Sequence, residues 1–409
     1  MKLTITKSLG SIFCGVLLAL ATLPAAFALD ITYNNKGSDL AFNPTGSSYV
    51  VDLSLARSGN WEDKPESPGQ GIYDPEKWAV VFKFSAINIP AGTTVTFKNH
   101  PSRAPVVWLV EGSVTIDGKI ALDAGGPGGY RGATGRVGAA HGGAGLGPGG
   151  AGYRAGRSGS GAGYIQPGTG NAPGLMYGNS MILPLIGGSG GSGEGTGDYG
   201  GGYGGGAGGG AILIASDSFI SVNGEIRSVG GADTCGICGH GSGGAIRLIG
   251  ELVVVLGTLN VSGGSGGAAG SSGRLRIEAN EASVTTGRFS VEPSYAMPGA
   301  TPKLWPSEDS PKLTIISVDG QSVITDPLAN RDFPKQDVSI SNTNLLSIHI
   351  QCSNVPTNWN VSLRIAPFRG SESVVNATLV TGNDVTSMWE AQAIIASSVS
   401  VLQARAYQP

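Results

Sequence analysis

Val114-Thr115-Ile116-Asp117-Gly118-Lys119-Ile120-Ala121-Leu122 and Ile220-Ser221-Val222-Asn223-Gly224-Glu225-Ile226-Arg227-Ser228-Val229 are one phrase written twice. Each alternates apolar and polar residues, pauses at a single Gly, and resumes the alternation. A period of two is the mark of a strand with one buried face. Each phrase follows a short apolar run, Val106-Val107-Trp108-Leu109-Val110 in the first case and Ala211-Ile212-Leu213-Ile214-Ala215 in the second. A third copy joins Ala245-Ile246-Arg247-Leu248-Ile249 to Val253-Val254-Val255-Leu256-Gly257-Thr258-Leu259-Asn260-Val261. A weaker fourth joins Leu275-Arg276-Ile277 to a phrase centred on Gly287, and an opening copy from Ile87 to Phe97 fits around Gly92 with one residue of slippage.

The marker glycines Gly92, Gly118, Gly224, Gly257 and Gly287 therefore recur every ~30 residues, the length of a solenoid coil, with one long break after Gly118. The expected fold is all-β: a right-handed parallel β-helix over residues 85–292, in which Ile120, Ile226, Leu259 and Phe289 stack as an inward ladder. The break is read as a glycine-rich insertion over about residues 125–210, looped out between neighbouring coils. Its glycines are too irregular for collagen, and both close-packed backbones and disorder fit its composition. Tyr199 and Tyr203 stand four apart, the spacing of side chains sharing one face of an extended chain.

Residues 29–84 are expected to form an N-terminal cap, because a first coil exposes strand edges that need cover. Pro293, Pro298, Pro302, Pro306 and Pro311 mark a Pro-rich linker over 293–311. After it, short period-two strands resume, and residues 312–409 read as an Ig-like β-sandwich.

The N-terminus carries Lys2 and Lys7, an apolar stretch from Ile12 to Leu23, then Pro24 and Ala26-Phe27-Ala28. That pattern is a secretory signal peptide over 1–28, cut after Ala28, which leaves no transmembrane segment in the mature chain. The expected location is therefore secreted or cell-surface. The formal charge of −3 argues against a nucleic-acid partner, which calls for a basic face. Only 13% of residues are charged while 69 are Gly, far from an ordinary globular mixture. Low-complexity disorder and a repetitive fold both fit that composition, and the strand-like alternation of apolar residues outside the Gly tract favours the repetitive fold.

The phrases Ala41-Phe42-Asn43-Pro44-Thr45, Ile87-Asn88-Ile89-Pro90-Ala91-Gly92-Thr93-Thr94-Val95-Thr96-Phe97 and Gly243-Gly244-Ala245-Ile246-Arg247-Leu248 resemble those of uncharacterised glycine-rich exported β-helix proteins of Gram-negative bacteria. The resemblance implies the fold and the compartment and carries no activity.

Chemistry is sparse. Cys235 and Cys238 are the candidate disulfide pair, since export permits disulfides. They do not suit haem, because Gly239 follows the second cysteine, and with His240 they supply only three ligands toward structural zinc. No cofactor is expected. Gly187-Gly188-Ser189-Gly190-Gly191 and Gly263-Gly264-Ser265-Gly266-Gly267 satisfy the G-x-S-x-G pattern through glycine abundance alone, without triad partners in context.

A β-helix enzyme acting on polysaccharide needs two carboxylates at a fixed separation, or a base beside cations. The candidates are Asp117, Asp123, Glu225, Asp233, Glu251 and Glu278 with Lys119, Arg227, Arg247, Arg274 and Arg276. Their position beside inward apolar residues reads as a solvated outer face, with Lys119 and Glu225 pairing across coils. The expected function is a non-catalytic structural or adhesive surface or extracellular-matrix protein, whose partners are cell-surface or matrix components, polysaccharide among them. A polysaccharide lyase or glycosidase and a glycan-binding module are the alternatives.

Overall fold

The computed structural model describes residues 29, 31–132, 143–194, 204–232, 236–285, 288–297, 302–324, 337–341, 344–367, 371–395 and 399–409. The chain is all-β, with a single 3-10 turn at Leu53–Leu55 as the helical element among the described residues. The described strands between Ala41 and Ala296 form curled, largely parallel sheets.

The pairing follows the repeated phrase. First strands Ala79–Phe84, Val106–Val110, Ala211–Ser216 and the opening of Ala245–Val255 and of Arg274–Val284 lie side by side in parallel. Second strands Ala41–Phe42, Ala86–Ile89, Val114–Ile116 and Phe219–Val222 do the same, as do third strands Ser48–Asp52, Thr94–Lys98, Lys119–Ala121, Glu225–Arg227 and Thr258–Asn260. Ile120 pairs with Ile226, Ile226 with Leu259, and Leu259 bridges to Phe289. Val95 extends the same column at the other end. Gly118 and Gly224 thus precede adjacent, parallel, in-register strands, while Gly287 falls outside the described residues.

Two expected boundaries do not coincide with breaks in pairing. Residues 41–52 and Ala79–Phe84 pair in parallel with later copies, so the segment expected as a cap contributes strands to the same sheets. In the Pro-rich stretch, Ser294–Ala296 adds a parallel strand beside Arg276 to Glu278, and Leu304 is buried. Pro tolerates edge positions where no ladder donor is needed, which is how this segment combines both features.

The first strands are apolar throughout because both of their faces are covered. Val80, Phe82, Val106, Trp108, Ile212, Ile214, Ile246 and Leu248 point into the main core. Their alternates Val81, Val107, Leu109, Leu213 and Ile249 point outward against Tyr164, Ile182 and Leu185 of the glycine-rich segment. The insertion is expected to loop out, but its described residues 164–185 pack on the sheet.

The described part of that segment has its own order. Gly188 and Gly191 donate their N–H groups to Gly209 and Gly206, Gly190 and Gly193 donate to Leu146 and Gly143, and Ser189 and Ser192 accept from Ser242 and Gly239. Partners recur every third residue, the repeat of a polyproline-II helix, so each helix bonds to several neighbours at once. Side chains cannot fit between such backbones. A Cβ added at Gly190 would strike the carbonyl of Arg131, and one at Gly239 the carbonyl of Ser160. Buried serines serve the remaining donors: Ser192 Oγ accepts from the Ser160 amide at 2.8 Å, and Ser242 Oγ from the Ser189 amide at 2.8 Å. Tyr199 and Tyr203 lie outside the described residues.

Beyond residue 311 the chain builds a five-stranded and a three-stranded antiparallel sheet around one core of Ile348, Ile350, Val361, Leu363 and Ala391. Burial alternates strictly along Leu346–Ser353. This unit rests on the glycine bundle: the Arg364 guanidinium donates to the Gly145 carbonyl at 3.2 Å and the Ala151 carbonyl at 3.3 Å while paired with Glu372. Ala366 packs with Ala144 and Tyr153 at the same junction.

Candidate functional site

The charged residues picked out in the sequence fall into two groups. On the third-strand face, Lys119 Nζ and Glu225 Oε2 stand 3.0 Å apart on adjacent coils, and Arg227 Nε lies 2.7 Å from Asp123 Oδ2. Asp117 accepts from Asn223 Nδ2 at 2.7 Å, again between coils. These half-exposed pairs are the solvated ladder expected of them.

Arg247, Arg276 and Glu278 depart from that expectation, because all three are buried. They project from the outward face of the first strands, which residues 302–305 and the glycine-rich segment cover. Glu278 Oε1 accepts from Arg247 Nε at 2.8 Å and from Arg276 Nε at 2.7 Å. Arg247 also donates to the Lys303 carbonyl at 2.7 Å, and Arg276 to the Ser180 carbonyl at 3.3 Å. Arg274 lies over the Tyr164 ring, 5.5 Å from its centroid, and donates to the Tyr177 carbonyl. The triad thus ties the last coils to both covering segments. Glu251 accepts from Asn280 Nδ2 at 2.9 Å and from the Leu29 amide at 3.0 Å. Asp233 lies outside the described residues.

A second buried charge cluster, around Lys83 and Asp39, was hidden in the run Ala79–Phe84. The Asp39 carboxylate accepts from the amides of Gly69, Gly71 and Lys83, and Lys83 Nζ donates to the carbonyls of Trp61 and Asp63. Burial raises the Asp39 carboxyl and lowers the Lys83 ammonium from their ordinary pKa values. The cluster fastens the loop after Arg57–Ser58 onto the sheet. Outside it lies an open polar recess lined by Asn34, Asn35, Asn60, Glu62, Asp63 and Lys64. Trp61 itself packs against the apolar outer face of the first strands, with Trp305 edge-on at 5.5 Å.

Cys238 is buried and disulfide-bonded, while Cys235 lies outside the described residues. Cys352 is a free, buried thiol in the antiparallel core. Among the described residues no cluster of His, Cys, Asp and Glu is placed to hold a metal ion. His240 is buried within the glycine bundle, His100 stacks on Tyr73, and His349 Nδ1 meets Ser317 Oγ at 3.0 Å. Ser189, at the centre of one G-x-S-x-G match, is fully buried and accepts the Gly149 amide at 3.0 Å, so it serves the packing of the glycine bundle.

The remaining feature is a surface. Ser373–Asn376 and Thr378–Gly382 are consecutive strands that occupy the outer edges of the two antiparallel sheets. The stretch Ser373-Val374-Val375-Asn376-Ala377-Thr378-Leu379-Val380-Thr381-Gly382 carries no charge and no Pro. Val374 is 61% exposed and Val380 55%. Natural edges are ordinarily blunted by Lys, Pro, a β-bulge or a cover; neither residue type occurs here, and the Thr378–Gly382 edge carries one register shift, between Leu379 and Thr381. Among the described residues no helix is long and apolar enough to cross a membrane. In comparisons with protein families, with curated proteins and with solved structures, the chain finds no match.

Proposed function

We propose that this protein is an exported structural or adhesive component of a cell surface or extracellular matrix, without catalytic activity. In this reading the parallel sheets form a right-handed β-helix, the glycine bundle stiffens one of its faces, and the terminal unit is an Ig-like sandwich that meets the partner. The observation that carries the reading is the uncharged double edge from Ser373 to Gly382, held on a rigid body. Such an edge offers unpaired backbone groups to a strand from another molecule, the β-augmentation mode of recognition. The ionic pairs support the reading as well, since they link coil to coil or segment to sheet.

The test places a charge on the edge. Val380→Lys is expected to leave the fold intact and to abolish attachment of purified protein to the surface of its native host, or its self-association. Unchanged attachment by the folded variant refutes the edge as the contact. If purified protein instead cleaved acidic polysaccharides, and one carboxylate-to-amide change removed that activity, the scaffold reading itself would fall. A glycan-binding role is the second reading. It is favoured by the open polar recess at Asn34, Asn60, Glu62 and Asp63, whose amide and carboxylate groups suit sugar hydroxyls. Binding of oligosaccharides that disappears in Asp63→Ala would establish it.

A further inference from the structure

Three successive coils turn the same corner with an acidic residue: Glu111 after Val106–Val110, Asp217 after Ala211–Ser216, and Glu251 at the matching point of Ala245–Val255. The Asp217 amide donates to Val110 and the Glu251 amide to Ser218, which stacks the three carboxylates in a column. The beginning of the described chain lies along that column. Glu251 Oε2 receives the Leu29 nitrogen at 3.0 Å, Asp217 Oδ1 receives the Ile31 nitrogen at 2.7 Å, and Asp217 Oδ2 receives Lys36 Nζ at 2.7 Å. Gly37 approaches so closely that a Cβ there would lie 3.0 Å from Glu111 Oε2. Leu29, Ile31 and Tyr33 are buried beside these contacts. The Tyr33 phenol is raised above its ordinary pKa by burial first, then by Asp217 and Glu111.

Leu29 directly follows Ala26-Phe27-Ala28, the small-residue pattern at which a leader is cut. We propose that removal of the leader creates the ligand of this column: hydrolysis of the Ala28–Leu29 bond frees an α-ammonium on Leu29 that Glu251 binds, clamping residues 29–37 across the coils. The inference rests on the export reading. One water is consumed, Ala28 departs with a carboxylate, and the Leu29 amine takes a proton at neutral pH. Before cleavage the Leu29 nitrogen is a neutral amide with one proton to donate. Afterwards it is a cation with three, so the hydrogen bond that the amide already makes to the ionised carboxylate becomes one between opposite charges, with coulombic attraction added to it. The column is thus a device that registers processing, tightening the first segment of the mature chain only once the leader has gone.

The test uses the chain beginning at Leu29, prepared with a free and with an acetylated α-amine, each with Glu251 intact and as Glu251→Gln. Hydrogen exchange over residues 31–37 reports the local opening equilibrium. With Glu251 present, exchange is expected to be about ten-fold slower in the free-amine form, and the difference is expected to vanish in Glu251→Gln. Equal exchange in the two wild-type forms overturns the clamp, and so does an undiminished difference in the variant. Sequencing the N-terminus of the exported protein separates the two claims. A start at Leu29 supports the clamp. A different cleavage point overturns the clamp and leaves export standing, while a retained leader overturns the export reading with it.

Discussion

Gly224 follows Asn223 at the turn where one coil lies directly on the carbonyl of Gly118 from the coil before, and Gly257 repeats the contact on Gly224. A methyl group has no room there, which is why the marker glycines were visible as a period in the sequence. Gly224→Ala is expected to lower stability by about 1–3 kcal/mol through forced backbone displacement. Gly250→Ala is the control, because its nearest neighbours would stand 3.4 Å from the new Cβ, and it is expected to change stability by less than about 0.5 kcal/mol. Urea midpoints of the two variants check the contrast. Lys83 was not legible at this scale, since one lysine within an apolar run gives no sign that Trp61 and Asp63 will fold over it. Burial lowers its folded pKa below the ordinary 10.5, so between the folded value and 10.5 the unfolded chain binds more protons and stability rises with pH. Lys83→Met is expected to remove that rise, which unfolding measured across the alkaline range would reveal. A rise of unchanged size in the variant would assign it to another group.

Elements carry the next level of information. The apolar run Ala211 to Ala215 was legible as a strand, but not that both of its faces are covered or what covers the outer one. The same ambiguity misplaced Arg247, Arg276 and Glu278. They alternate with Ile246, Leu248, Leu275 and Ile277, a pattern that reads as polar-out, and the covering segments lie far away in sequence at residues 177–182 and 302–305. Two guanidinium groups on one buried carboxylate leave a large uncompensated charge if that carboxylate is lost. Glu278→Gln is expected to destabilise the protein by about 3–5 kcal/mol. Chemical denaturation checks the magnitude, and a loss below about 1 kcal/mol would mean that water reaches the site. Replacing the whole triad with apolar residues of similar volume is expected to cost far less than this single change, because no charge is then left without a partner.

At the scale of the molecule, the repeated phrase made the order of parallel strand pairing legible, and the long break after Gly118 located the glycine-rich segment. The structure of the insertion was less accessible. The useful signal was the three-residue spacing of Ser189 and Ser192 among glycines, whereas the tract at Tyr199 and Tyr203 suggested a spacing of four. Helical and strand periods dominate ordinary sequence reading, and a three-residue repeat without side chains leaves little hydrophobic pattern to follow. Ordering glycine costs more backbone entropy than ordering any other residue. A glycine bundle therefore holds only if its backbone hydrogen bonds are made together, shielded from water, and anchored by Tyr164 on the sheet and by Arg364 at the far side. Hydrogen exchange by mass spectrometry over residues 187–194 and 204–210 tests this claim most directly. Close packing predicts protection comparable to that of Ala211–Ser216, lasting hours, and complete exchange of the glycine segments within seconds would contradict it.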